Sequence, residues 1–140
     1  MKKMKKQKKI LMITSSTIGG GPNQLLLLAR ELQKNFEISI ATPYDDLYLK
    51  KLKMLSLSNI LFIQRRKINL FDIFRLLSYL KIHQISIIHS HGKAAGVLGR
   101  LSSVITGIPL VHTFHGIHIS GKNFISRFIY ILYEKIFGRI

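Results

Sequence analysis

Between Lys9 and Thr113 the sequence alternates short, unbroken apolar runs with longer segments of helical spacing. Lys9–Thr14 (KILMIT), Phe36–Ala41 (FEISIA), Ile60–Ile63, Ser86–His89 and Pro109–Thr113 are bounded by polar or turn residues, as strands buried on both faces are. Between them, Pro22 suits the first turn of a helix running to Lys34, and Tyr44–Leu55 carries Leu47, Leu52 and Leu55 at helical spacing. Leu70–Ile82 sets Ile73, Phe74, Leu77 and Leu80 along one face, and Gly107 stops a helix over Lys93–Ile105. Strand and helix in strict alternation require right-handed crossovers, so the pattern predicts an α/β fold with an open, doubly wound, mainly parallel sheet.

A chain of 140 residues is one domain by length, long enough to bury roughly two-thirds of its unfolded surface. The last segment, Asn123–Ile140, is helical in pattern, with Phe124, Phe128, Ile131, Leu132 and Ile136 along one stripe. That stripe reads as core, or as a surface that another domain covers. No cysteine is present, which removes disulfides and thiolate metal sites.

Charge is the outlier, with 22 Lys and Arg against 6 Asp and Glu, a net +16. Six of the cations are Lys2, Lys3, Lys5, Lys6, Lys8 and Lys9, so residues 1–9 form a basic tail, and residues 10–140 remain strongly basic without it. Such an excess calls for an anionic partner: nucleic acid, an acidic membrane surface or a phosphorylated small molecule. The apolar run behind the tail, Ile10–Ile13, is shorter than a secretory signal needs, and no segment approaches the length of a membrane span. The expected location is the cytoplasm.

In an open α/β sheet ligands bind beyond the carboxyl ends of the strands, and there the polar residues gather. After the first strand, Gly19-Gly20-Gly21 leads into a helix whose free N–H groups suit a phosphate; a plain turn is an equal reading. The spacing is not that of a dinucleotide site, and Ala41-Thr42 stand where a ribose-binding carboxylate would be. After the fourth strand comes His89-Ser90-His91-Gly92-Lys93, where His89 and His91 project to one side, so at most one is expected in the core. Lys93 at a helix start opposes the dipole, which suggests an anionic ligand beside the blander reading of an exposed lysine. After the fifth strand, His112, His115 and His118 invite a zinc hypothesis, but no Asp, Glu or Cys lies nearby to complete a site, and no metal is expected.

The order KILMIT, GGG before LLLLAREL, IIHSHGKAAGVLGR and IPLVHTFHGIH resembles the N-terminal domain of family 4 glycosyltransferases of the GT-B fold, most of all the bacterial surface-polysaccharide type. The resemblance covers essentially the whole chain. It implies that residues 10–140 form one Rossmann-like half of a GT-B fold. It further implies a retaining enzyme, without metal or other cofactor, that moves a sugar from a nucleotide diphosphate sugar to a glycan acceptor, lipid-linked, in polysaccharide synthesis. By the same matching, His115 stabilises the transition state at the reacting sugar. Gly20 and Gly21 turn backbone amides to phosphate or acceptor, and Asn23, His91, Lys93 and Gly116 complete the substrate contacts. Asn23 and Gln24 stand where many relatives carry an acidic residue or histidine. The family's C-terminal donor-binding domain is absent from these residues, which implies a fragment, a truncated reading frame or half of a split enzyme.

The basic body, the lysine tail and the amphipathic last segment fit a peripheral enzyme at the anionic inner face of a membrane. A nucleic-acid-binding module is the rival class. It explains the charge, but the chain has no helix-turn-helix, zinc-finger or RNP-like pattern, and no nucleic-acid partner is expected.

Overall fold

The computed structural model describes residues 7–57, 59–115 and 123–137. Five strands, β1 (Lys9–Thr14), β2 (Glu37–Thr42), β3 (Ile60–Phe62), β4 (Ile87–His91) and β5 (Leu110–Thr113), form one parallel sheet in the order β3-β2-β1-β4-β5. Helices α1 (Gly20–Leu32), α2 (Asp46–Met54), α3 (Leu70–Ile82) and α4 (Lys93–Thr106) connect them, and α5 (Phe124–Phe137) follows β5. This is the doubly wound sheet that the alternation predicts. Among the described residues no helix is long and apolar enough to cross a membrane.

Alternate residues of β1 fill two cores. Ile10 and Met12 pack with Leu25, Ala29, Tyr48 and Leu52 of α1 and α2, while Leu11 and Ile13 pack with Ile73, Leu76, Leu80 and Leu98 of α3 and α4. Chain order reverses at the centre: α1 and α2 carry the chain outward from β1 on one face, and α3 returns it to β4 on the other. β1 and β4 are therefore neighbours whose following loops diverge, opening a crevice at their carboxyl ends.

The central strands match expectation because apolar runs buried on both faces leave little choice of element, whereas the helix faces differ in detail. In α2 the buried residues are Tyr48 and Leu52, with Leu47 exposed, because the Tyr48 hydroxyl donates to the Pro22 carbonyl oxygen at 3.1 Å and turns that edge inward. In α3 the stripe is Ile73, Leu76 and Leu80, and Phe74 faces solvent. β4 runs on through His91, so Ser90 and His91 belong to the sheet and not to the loop after it. Lys9, counted with the tail by charge, opens β1 and pairs with Glu37 at 3.0 Å. The α5 stripe is not core: Phe124 is 83% exposed, and Phe128, Ile131, Leu132 and Ile136 are exposed as well. The lysines before Gln7 lie outside the described residues.

Candidate functional site

The glycine loop after β1 enters α1 through Gly19, whose φ of +105° excludes most side chains. Gly92, at φ +81°, does the same between β4 and α4. Neither helix start has a side-chain cap or an acidic residue in its first turn, so the positive end of each helix dipole meets the carboxyl end of the sheet. The loop after β1 is braced from outside: Thr17 Oγ1 donates to Asp45 Oδ2 at 3.0 Å, and Arg65 donates to both at 2.6 and 3.1 Å. Asp45 also caps α2 by accepting from the Tyr48 N–H at 2.9 Å.

Four histidines line the end of β4 and β5. Registers of Met12 with His89 and Thr14 with His91 place His89 and His91 beside β1, both turned to the α1 face. Both are buried, against the expectation that at most one would be, because each polar ring finds a partner and a neighbour. His89 Nε2 lies 2.8 Å from Thr113 Oγ1, and the His89 and His91 rings stack at 4.3 Å. His91 Nδ1 lies 3.2 Å from His115 Nε2, with the rings nearly parallel at 5.4 Å. His112 turns to the other face, with Nδ1 2.8 Å from Ser90 Oγ.

Burial removes the imidazolium from water, and neighbouring imidazoles add repulsion, so the His91 pKa is pushed down to about 3. His89 is lowered by burial and then by His115, and His112 by burial and then by Arg100. His91 is thus a neutral ring at physiological pH, and its Nε2 is buried without a hydrogen-bond partner. It carries one proton, so its Nδ1 either donates to His115 or accepts from it.

Small residues set these rings in place. A Cβ on Gly21 would come within 2.9 Å of the His115 ring, and one on Gly96 within 2.6 Å of the His112 ring. His115 therefore rests directly on the first turn of α1. A cleft of about 360 Å³ opens there, bounded among others by Ser16, Gly21, Arg66, His91, Lys93 and His115. Of the residues singled out from sequence, Gly21, His91, Lys93 and His115 meet at this cleft. Gly20 is exposed, with nothing within 4 Å of a Cβ placed on it. Asn23 lies elsewhere, in a groove between α1 and α2 with Arg30 and Lys51. Gly116 and His118 lie outside the described residues. Among the described residues no three His, Asp or Glu side chains converge as a metal site. Arg66 was missed, although the strand-end rule that singled out the other loops applies equally to Arg65-Arg66-Lys67 after β3.

The sequence matches the model of glycosyltransferase family 4 over residues 18–140. The chain belongs to that family. Its backbone is similar to a glycosyltransferase from Rickettsia africae, with a TM-score of 0.70 and 19% identity over 95% of this chain and 35% of that one. It is also similar to MurG of Acinetobacter baumannii, at 0.58 and 21% over 76% of this chain and 35% of that one. HepE of Anabaena, solved with UDP and glucose, matches at 0.60 and 19% over 75% of this chain and 29% of that one. No curated protein matches. The family 4 domain described here thus spans about a third of the length of these structures, and at such identities the likeness establishes the GT-B type of fold. The Gly21–His91–His115 cleft sits at the switch point of the sheet, between β1 and β4.

Proposed function

We propose that this family 4 domain forms the acceptor-side wall of a retaining glycosyltransferase that moves a hexosyl group from a nucleotide diphosphate sugar to a lipid-linked glycan acceptor in surface-polysaccharide synthesis. The observation that carries the proposal is the meeting of His115, buried neutral His91 and the uncapped first turn of α1 in one cleft of a family 4 domain. The UDP and glucose bound to HepE fit a nucleotide-sugar donor.

The chemistry follows from the charges that develop. As the bond from sugar to diphosphate breaks, negative charge grows on the leaving phosphate and positive character on the sugar ring. The positive end of the α1 dipole, with the cation of Arg66 at the cleft, offsets the first, and Lys93 lines the acceptor side. His115, its Nε2 engaged by His91, turns Nδ1 to the reacting sugar as a hydrogen-bond partner. His91 acts as a positioning residue, because a ring that stays neutral holds His115 without adding a positive charge beside the forming cation. The donor's nucleotide contacts are assigned to a second Rossmann-like domain facing this one, and the enzyme works peripherally at the anionic inner face of the membrane.

Membranes from cells that make this protein should pass label from a nucleotide sugar to an acceptor extractable into organic solvent. Labelling that persists unchanged when the gene is disrupted would contradict the proposal.

A further inference from the structure

A second cavity, about 480 Å³, lies between α4 and α5, within the usual size of ligand sites. Its lining is chiefly apolar, from Ile68, Ala94, Val97 and Ile129. The carboxylate at its rim, Glu134, is paired with Arg100 at 2.7 Å and so presents no uncompensated negative charge. Lys93 and Ala94, the first turn of α4, border both this groove and the histidine cleft. The two sites therefore meet at one helix start, polar and cationic on one side, hydrocarbon-like on the other. A ligand that fills both must be amphiphilic, with an anionic head.

We propose that the α4–α5 groove receives the hydrocarbon chain of a single phosphorylated amphiphile whose head lies in the His91–His115 cleft. This rests on the reading of the acceptor as lipid-linked and narrows it: the lipid enters the protein between α4 and α5, with its phosphate at Lys93. The border that groove and cleft share at Lys93 and Ala94 favours one bound lipid over a bilayer pressed against α5 or a second copy of the chain. Ile68, in the loop before α3, and Ile129, in α5, are both more than half exposed, so charging either leaves the core intact.

The test is calorimetric titration of the chain with ethyl, hexyl, decyl and dodecyl phosphate, each kept below its micellar concentration, beside inorganic phosphate and decanol. Affinity should rise by up to about fourfold for each buried methylene and level off once the groove is full. Decyl phosphate should bind better than decanol. Ile68→Asp and Ile129→Asp should each flatten the chain-length series while binding inorganic phosphate as before. A flat series in the unaltered chain overturns the proposal, as does a rise that both variants keep. Equal binding of decanol and decyl phosphate overturns the headgroup assignment. Variants that abolish self-association yet still bind decyl phosphate would make the groove an interface between copies, and overturn it too. A failure here leaves sugar transfer by His115 untouched, since that reading is measured by turnover.

Discussion

His91 and His115 lie 24 residues apart in sequence and share a hydrogen bond of 3.2 Å across the ends of two adjacent strands. His115 is pinned from the other side by the first turn of α1, where Gly21 leaves room for its ring. A histidine on a strand-end loop is thereby fixed between a buried neutral ring and a helix start. Preorganisation of this kind is what a transition-state contact requires.

The two glycines at the α1 start should respond differently to the same change. Alanine gains up to about 1 kcal/mol over glycine in a helix, less in the first turn, so Gly20→Ala should leave stability equal or slightly raised and the site unchanged. Gly21→Ala should fold as well but displace His115, because the added methyl would stand 2.9 Å from its ring. Nitrogen-15 spectra of the imidazoles read this directly: the His91 and His115 signals should shift in Gly21→Ala and stay in place in Gly20→Ala.

Much of this architecture was legible in the sequence, for identifiable reasons. KILMIT and FEISIA are buried on both faces, so no alternative element suits them, and Gly107 marks the end of α4 with φ +71°. Helix faces were read less well, since Phe74 and Leu47 are apolar and at helical spacing yet point to solvent. Periodicity fixes a stripe only to within a residue; what the stripe meets decides the rest. The joint burial of His89 and His91 depends on partners on β5, and one strand's pattern holds no information about its neighbour's hydroxyl or ring.

Stability should fall as the solution is acidified. His91 in the folded protein stays neutral down to about pH 3, whereas in the unfolded chain it takes up a proton near its ordinary value of 6.5. The unfolded state thus binds more protons between these limits, so unfolding free energy is lost as pH drops through that window and holds steady above it. For His91 alone the loss amounts to on the order of 5 kcal/mol over the whole window, and His89 and His112 shift in the same direction. Urea midpoints from pH 7.5 to 4, taken for the unaltered chain and for His91→Gln, should show a steep fall in the first and a shallower one in the second.

Arg100 is 5% exposed and ties α4 to α5 through Glu134, with its guanidinium 5.7 Å over the Phe114 ring. Removing its charge leaves Glu134 without its partner, so Arg100→Met should destabilise by about 2–3 kcal/mol. Restoring neutrality with Arg100→Met/Glu134→Gln should recover part of the loss, a coupling that a double-mutant cycle in urea measures directly.

The lysine tail predicts electrostatic membrane binding. Each lysine near an anionic surface contributes about 1 kcal/mol at low salt, so deleting residues 1–7, and with them Lys2, Lys3, Lys5 and Lys6, should weaken binding to phosphatidylserine vesicles by roughly a thousandfold. β1 begins at Lys9 and is spared by that deletion. Tight, steeply salt-sensitive binding to duplex DNA together with indifference to the vesicles would favour the nucleic-acid rival.

The central measurement is turnover in the proposed two-domain enzyme, with a donor-binding domain facing this one, compared between unaltered protein and His115→Ala at matched folded stability. His115→Ala should lower kcat by about 10²–10³-fold, as expected for loss of one preorganised transition-state contact, with an unchanged denaturation midpoint. Turnover equal to that of the unaltered protein would contradict that role of His115.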